Sequence, residues 1–230
     1  FDLARELGVN DDGRQSAARH VSTIRAMVVA EPHRNDLRHS LSICLRLAGG
    51  LDQETGRGGK ARRHFKESLA IMRRLVDAEP DRADLRNELS ISLRSLGILA
   101  QVGGRGKEAR RYLEESLAIV RTLLDAEPDR ADLQLELSHS LNILGDLTDK
   151  AERSEEAGRY FAESLAIVRT LVEAEPHRAD LRFALSFPLK HLGWLAAQTG
   201  SIEEARRYWE EALAVKRSLA AAQPYRNDIQ

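Results

Sequence analysis

Two glycine-rich stretches that contain a terminal lysine are the first residues in this sequence whose types suggest chemistry. They read GRGGK at 56–60 and GGRGK at 103–107. A nucleotide-binding phosphate loop follows a strand, and its lysine is followed by serine or threonine. Here Ala61 and Glu108 follow the lysines, and the residues before each stretch have a helical pattern. We therefore interpret both stretches as turns between helices, and we predict no nucleotide site and no other cofactor.

The histidines and the single cysteine show no metal-binding pattern. No two histidines have the four-residue spacing that places two ligands on one helix face. Cys44 stands at the repeat position that holds Ser92, Ser140 and Pro188 elsewhere, which favours a small packing residue. One cysteine also excludes an internal disulfide framework and a cysteine-based zinc site. We therefore predict no metal site. The histidines are His20, His33, His39, His64, His139, His177 and His191.

The sequence offers no catalytic constellation. Ser68, Ser116 and Ser164 lie on the packed stripe of a predicted helix, and no histidine stands where it could take a proton from them. No pair of carboxylates is segregated into an apolar setting. We therefore predict that the chain is not an enzyme.

Four arginine–glutamate pairs recur at a spacing of four residues. Side chains four residues apart are neighbours on a helix surface, so we expect solvated ion pairs that each contribute a few tenths of a kcal/mol. A function in reading the charge of a partner is not expected of them. The pairs are Arg63/Glu67, Arg111/Glu115, Arg159/Glu163 and Arg207/Glu211.

The elements that carry these residues repeat with a period of 48 residues. A fixed period of roughly 20–50 residues is typical of stacked-repeat proteins. The recurring positions include the prolines Pro32, Pro80, Pro128, Pro176 and Pro224, the glycines Gly49, Gly97, Gly145 and Gly193, and the alanines Ala61, Ala109, Ala157 and Ala205.

Each repeat contains two predicted helices. In the repeat that begins at Pro80, Leu85, Leu89 and Leu93 fall on one stripe of a first helix. After the loop VGGRG, small and apolar residues follow the i, i+3, i+4 spacing of a second amphipathic helix. The pattern predicts an all-α chain of helix pairs.

The phrase AEPDRADL at 78–85, repeated at 126–133, connects one pair to the next. Pro80 should end the second helix because proline cannot donate to the helical hydrogen-bond ladder. We expect Asp84 at the N-cap of the next first helix. The recurring arginine, Arg82 here, is expected to pair with a recurring acidic residue across stacked units.

These columns resemble the tetratricopeptide repeat. That family has a Leu-Gly pair in the first helix, followed down the second helix by alanine, a large residue and a small residue. Here Leu96 and Gly97 are followed by Ala109, Leu113 and Ser116. Glycine and alanine let two backbones approach closely, and the large residue fills the space beyond. The large position holds Phe65, Phe161 and Trp209 in the other repeats.

The resemblance implies a right-handed α-solenoid of stacked antiparallel helix pairs. The period of 48 residues exceeds the family's usual repeat of about 34, so each helix gains about two turns. The chain is similar to long-helix arrays of large bacterial proteins. We treat it as a single repeat solenoid over 1–230. Its units are approximately 1–31 (partial), 32–79, 80–127, 128–175, 176–223 and 224–230 (partial).

The resemblance also implies a working surface, because the first helices of this family line a concave groove that binds a peptide or a partner helix. At repeat positions outside the buried stripe, the residue type varies from one repeat to the next. These positions form a row of apolar residues, the apolar lane, beside a row of basic residues, the basic lane. Such lanes suit a partner with hydrophobic anchors and acidic groups, with Phe187 and Trp194 as its main contacts. Alternatively, the groove is filled by its own side chains. The predicted groove residues are Ile43, Arg46, Ile91, Arg94, Ile98, His139, Asn142, Asp146, Phe187, Lys190 and Trp194.

A second function stays open at the ends of the chain. Phe1 falls in the middle of a first-helix pattern, Gln230 falls where another begins, and neither end shows the polar cap that stacked repeats need. We interpret the chain as a window from a longer array, or as a unit that assembles head to tail into homo-oligomers or filaments. Pro188, inside a first helix, is expected to bend that helix.

Charge and hydropathy exclude other classes of partner. The 35 basic and 36 acidic residues give a net charge of -1, which argues against nucleic-acid binding. No apolar run reaches the roughly 18–20 residues of a membrane span, and no signal-peptide pattern opens the chain. We therefore expect a cytoplasmic scaffold or sensor segment that binds a protein or peptide, without membrane or nucleic acid.

Overall fold

A computed structural model of the protein describes residues 9–222. Within that range the regular structure is α-helical, which confirms the all-α prediction. The helices are α1 (Val9–Ala30), α2 (Asn35–Glu54), α3 (Gly58–Ala78), α4 (Ala83–Val102), α5 (Gly106–Ala126), α6 (Ala131–Asp149), α7 (Ser154–Ala174), α8 (Ala179–Gln198) and α9 (Ile202–Ala222). Phe1, Pro224, Arg226 and the predicted partial unit 224–230 lie outside the described residues.

The contacts divide the chain into two compact units, Phe1–Ile119 and Val120–Gln230. In the first unit, α2 packs against α1 and α3, and α4 packs against α3. In the second unit, α7 packs against α6 and α8, and α9 packs against α8. Short connectors make successive helices antiparallel, so the predicted helix pairs are confirmed. A single solenoid over 1–230 stays a prediction.

Glycines in the first helices let the two helices of a pair approach closely, as predicted. A Cβ atom added at Gly97 would lie 2.7 Å from Cγ of Leu113, and one at Gly145 would lie 2.6 Å from the Phe161 ring. Gly49 has the same relation to Phe65, and Gly193 to Trp209. Each large residue of the second helix therefore fills the space that a glycine leaves open.

The recurring serines are buried and hydrogen-bonded between the helices of a pair. The hydroxyl oxygens of Ser42 and Ser68 are 2.8 Å apart, and Ser116 donates to the backbone carbonyl of Ser90 at 2.9 Å. Because buried hydroxyls need such partners, these serines stabilise the packing of the helix pairs.

The connectors show why the helices end where they do. The second helices end two residues before the recurring proline, at Ala30, Ala78, Ala126 and Ala174, which confirms the predicted stop. The N-cap prediction is wrong. The N-cap of α4 is Arg82, and Asp84 lies in the first turn of that helix.

The recurring arginine binds acidic groups of its own connector, so the predicted pairing across stacked units is also wrong. Nε and NH2 of Arg82 donate to the two carboxylate oxygens of Asp84 at 2.8 and 2.6 Å, and NH1 donates to Glu79 at 3.0 Å. This bidentate geometry fits a guanidinium and a carboxylate two residues apart. The hydrogen bond from Arg82 lowers the pKa of Asp84 to about 2. The arginine therefore stabilises the start of each first helix from within the connector.

The turns inside the pairs need a left-handed residue. Gly56, Gly104 and Gly200 supply it with φ values of 74°, 71° and 80°, and Glu152 takes the same position with φ of 59°. Side chains other than glycine are disfavoured there. The glycine-rich stretches thus hold these turns, as predicted, and their last residues begin the helices that follow.

Candidate interaction surfaces

The glutamates of the four predicted local pairs instead form ion pairs with arginines on a neighbouring helix. In each case both residues lie on the second helix of their repeats. In the first unit, NH2 of Arg25 lies 2.7 Å from Glu67, and NH2 of Arg73 lies 2.8 Å from Glu115. The second unit has the same arrangement, with Arg121–Glu163 at 2.8 Å and Arg169–Glu211 at 2.7 Å. Each pair joins residues 42 apart in sequence.

The predicted pairs Arg63/Glu67, Arg111/Glu115, Arg159/Glu163 and Arg207/Glu211 are therefore wrong. Each glutamate is bound by an arginine on the preceding second helix instead. Stacking of the repeats brings that arginine to the glutamate, and spacing along one helix does not reveal it. These partly exposed ion pairs connect neighbouring second helices.

In the first unit, the predicted groove residues lie on α2 and α4 and are half-buried. Arg46 donates to Glu88 of α4 at 3.1 Å, so its charge is already neutralised. Arg46 and Ile98 line an apolar cleft of about 740 Å³, together with Leu47 and Cys44 of α2. The apolar lane of this unit is thus partly covered by its own helices.

In the second unit, the predicted groove residues divide into buried and exposed sets. Asn142 is only 5% exposed, whereas Arg46, at the same position in α2, is half-buried. Asp146 binds Lys150, the residue that follows α6, at 2.7 Å. His139 is half-buried. Residues of α6 therefore contribute little exposed surface.

The predicted groove residues of α8 are exposed. Trp194 is 55% exposed and Phe187 38% exposed. Nζ of Lys190 lies 5.2 Å from the centre of the Phe187 ring, within the range of a cation–π interaction. Lys190 and Trp194, with Trp209 of α9, also line a cleft of about 270 Å³.

The structure adds two residues that the sequence analysis missed. Phe183 is 70% exposed and lies four residues before Phe187, on the same face of α8. The ring of His191 stacks on that of Phe161 at 4.7 Å and is tilted against that of Phe187 at 4.5 Å, measured between ring centres. Burial, aided by the charge of Lys190, lowers the pKa of His191. Phe183 could have been found from the sequence, because the residue type at its repeat position varies. The other repeats hold His39, Asn87 and Leu135 there.

We call Phe183, Phe187 and Trp194 the α8 aromatic face. The opposite face of α8 buries Leu181, Leu185 and Leu189, among others, so the helix is apolar on two sides. A helix with one apolar stripe buries it and exposes polar residues. The second apolar side of α8 is only partly covered by its own unit, since Phe183 and Trp194 are more than half exposed. The helix runs through the buried Pro188 without a break.

Two segments of the chain match a known repeat family. Residues 82–129 and 189–221 match a family model described as a tetratricopeptide repeat. The first matched segment has the length of one period of this chain. No curated protein sequence matches the chain.

Solved structures show the same fold at low sequence identity. The structure of BtubC (BKLC) from P. vanneervenii is 18% identical, with 96% of this chain and 95% of that chain covered and a TM-score of 0.56. That of pilF from Pseudomonas aeruginosa is 17% identical, with 98% and 85% covered and a TM-score of 0.51. A putative kinesin light chain of Podosopora anserina with nearly identical TPR-like repeats is 21% identical, with 96% and 94% covered and a TM-score of 0.51. Two segments of the chain thus match the tetratricopeptide repeat, and the solved structures share the fold of the chain.

Two further findings concern membrane-spanning segments and metal ions. Across the helices of residues 9–222, no segment is both long and apolar enough to cross a bilayer. In the part of the chain that the structure describes, histidine, cysteine, aspartate and glutamate side chains form no group of three or more that could hold a metal ion.

Proposed function

We propose that the chain is a protein-interaction scaffold that binds a partner segment on the α8 aromatic face. The observation that carries this proposal is the exposure of three aromatic side chains on one side of a helix whose other side is already buried. Exposed clusters of apolar side chains mark interaction sites, and aromatic residues dominate the energetics of interfaces. Tetratricopeptide repeats are generally scaffolds, which agrees with this function.

The chemistry around the face indicates the kind of partner. Phe183, Phe187 and Trp194 offer contacts for apolar side chains, and Lys190 offers a cation between them. A partner peptide or helix with hydrophobic anchors and a nearby carboxylate complements this arrangement. Of the other predicted groove residues, Arg46 is engaged by Glu88 and Asn142 is buried. The rest stay predictions.

The experiment is a selection of peptides from a random library on the immobilised chain, followed by affinity measurements on variants. Phe187→Ala and Trp194→Ala should each weaken the selected peptides by about 2 kcal/mol, as expected for interface hot spots. Lys190→Glu should weaken acidic peptides more than neutral ones. Leu213→Ala is the control, because Leu213 is an exposed apolar residue of α9 outside the face. Equal losses in the control and the α8 variants would reject the proposal.

Head-to-tail self-assembly is the alternative, and the ion-pair positions disfavour it. The glutamate column that contains Glu67 holds Arg19 in α1, and the arginine column that contains Arg169 holds Arg217 in α9. Stacking two copies in the same register would therefore place arginine against arginine, which is unfavourable. Light scattering over a concentration series separates the functions, since a monomer at high concentration rejects self-assembly. The cytoplasmic location and the absence of nucleic-acid partners stay predictions.

A further inference from the structure

A cleft of about 340 Å³ in the first unit has four arginine or lysine side chains in its lining. Arg14 of α1 lies on one side, and Arg57, Lys60 and Arg63 come from the start of α3 and the residue before it. Among the described residues, the lining holds one carboxylate, that of Asp52. Its Oδ2 lies 3.2 Å from Nδ1 of His64, without the alignment of a hydrogen bond. The cleft therefore carries an excess of positive charge.

Lys60 is the residue that creates this excess. The same repeat position holds Glu108, Glu156 and Glu204. Nε of Arg105 donates to Glu108 at 2.8 Å, and Glu156 pairs with Arg153 in the same way. In the repeat 32–79, lysine replaces that glutamate. Within the described part of the chain, no carboxylate forms an ion pair with Arg57, Lys60 or Arg63.

The start of helix α3 adds partial positive charge beside the basic side chains. The first turns of α5, α7 and α9 contain acidic residues, whereas that of α3 contains none. The residue before α3, Arg57, makes no capping hydrogen bond with its side chain. Gly58 and Gly59 begin the helix without side chains that could shield its first N–H groups. The positive end of the helix dipole thus supplements the side-chain cations.

We propose that this cleft binds a phosphate group. Arginine guanidinium groups match the oxygens of phosphate with paired hydrogen bonds, and a lysine ammonium adds a compact charge. A phosphate dianion at Lys60 would provide the negative charge that Glu108 provides in the next repeat. The site differs from a nucleotide loop, because a helix precedes it in place of a strand, and Arg57 joins side chains of α1 and α3 in forming it. It is also independent of the α8 aromatic face.

The test is a titration of the isotopically labelled chain with inorganic phosphate at constant ionic strength, followed by NMR. Saturable shifts should appear at the backbone amides of residues 57–60 and at the side chain of Arg63. A phosphoserine peptide and the same peptide with unphosphorylated serine then show which kind of molecule carries the phosphate group. Tighter binding of the phosphopeptide indicates a phosphorylated protein, and affinity equal to that of inorganic phosphate indicates a small phosphate compound.

The decisive variant is Lys60→Glu, which restores the residue type of the other repeats. Its melting temperature should stay the same or rise, because the new carboxylate can pair with Arg57 as Glu108 pairs with Arg105. Its affinity for phosphate should fall about tenfold or more, which equals about 1.4 kcal/mol. Arg63→Ala should also weaken binding. Lys107→Glu is the matched control, since it makes the same charge change in the first turn of α5 and should retain the parent's affinity.

Three results overturn the proposal. The first is the absence of saturable shifts with inorganic phosphate. The second is unchanged affinity in Lys60→Glu. The third is a loss of affinity in Lys107→Glu as large as that in Lys60→Glu, since this would show a response to net charge alone.

Discussion

Helices α4 and α8 occupy the same position in their repeats, yet their outer faces differ. Ile91 and Ile98 of α4 are half-buried, whereas Phe187 and Trp194 occupy the equivalent positions of α8 and are exposed. The buried stripes of the two helices hold the same residue type at matching positions, namely Leu85, Leu89 and Leu93 in α4 and Leu181, Leu185 and Leu189 in α8.

This difference separates the residues that hold the fold from those available to a partner. A stripe that packs against a neighbouring helix must keep its size and shape, because protein interiors are densely packed. A face without such a neighbour can change from one repeat to the next. The large aromatic side chains appear on the changeable face of α8, and this is why we assign partner binding to that helix.

The largest expected change in the free energy of unfolding distinguishes two phenylalanines of the second unit. Phe161 is fully buried, and Phe161→Ala should lower the free energy of unfolding by about 3–5 kcal/mol. Phe183 is 70% exposed, and Phe183→Ala should change stability by less than about 0.5 kcal/mol. Chemical denaturation followed by circular dichroism measures both. Similar losses in the two variants would erase the distinction between the packed and the exposed face.

The next largest expected loss of stability concerns the close approach of the two helices in a pair. It is compared between the repeat of α4 and the repeat of α8. Gly97→Ala and Gly193→Ala should each destabilise the chain by about 1–3 kcal/mol, because a Cβ atom would overlap Leu113 or Trp209. Gly50 is the control, since a Cβ there meets no atom within 4 Å. Gly50→Ala should stabilise the helix by about 0.5–1 kcal/mol. Thermal melts of the three variants are sufficient, and a loss at Gly50 would contradict the packing argument.

A smaller effect concerns the turns inside the pairs. Glu152 has a left-handed backbone that glycine adopts in the other turns. Glu152→Gly should therefore raise the free energy of unfolding by about 0.5–1 kcal/mol. Gly104→Ala, at the equivalent turn before α5, should lower it by about 1 kcal/mol. If both substitutions shift the denaturation midpoint in the same direction, the turns are not equivalent.

The smallest effect distinguishes ion pairs between helices from pairs along one helix. A double-mutant cycle on Arg73 and Glu115 should give a coupling of about 0.2–1 kcal/mol, because the two side chains meet at 2.8 Å but remain partly exposed. The matched cycle on Arg111 and Glu115 should give a coupling near zero. A larger coupling in the second cycle would favour the local pairs of the sequence prediction.

Periodic features of the fold could be predicted from the sequence because their causes are local. Proline at a fixed position stops each second helix, and leucine spacing defines each buried stripe. The contact between Gly97 and Leu113 follows from two helices joined by a short turn, so its spacing repeats in every pair. Such features depend on neighbours that the sequence itself places close together.

Features that depend on stacking could not be predicted in the same way. The partner of Glu115 lies on the preceding second helix, so the i, i+4 neighbour Arg111 was the wrong choice. Asp84 suited an N-cap, but a bidentate pair with Arg82 holds it in the first turn. The burial of Asn142 depends on how its neighbours pack around it, which its place outside the leucine stripe did not reveal.

The most direct test of the account is the fluorescence of Trp194 when a selected peptide binds. Trp209→Phe leaves Trp194 as the only tryptophan of the chain, which has two. If the partner segment docks on the α8 aromatic face, the emission maximum should move to shorter wavelength and saturate together with peptide binding measured by anisotropy. Peptide binding without any change in Trp194 emission would contradict the central claim, since the partner would then bind elsewhere.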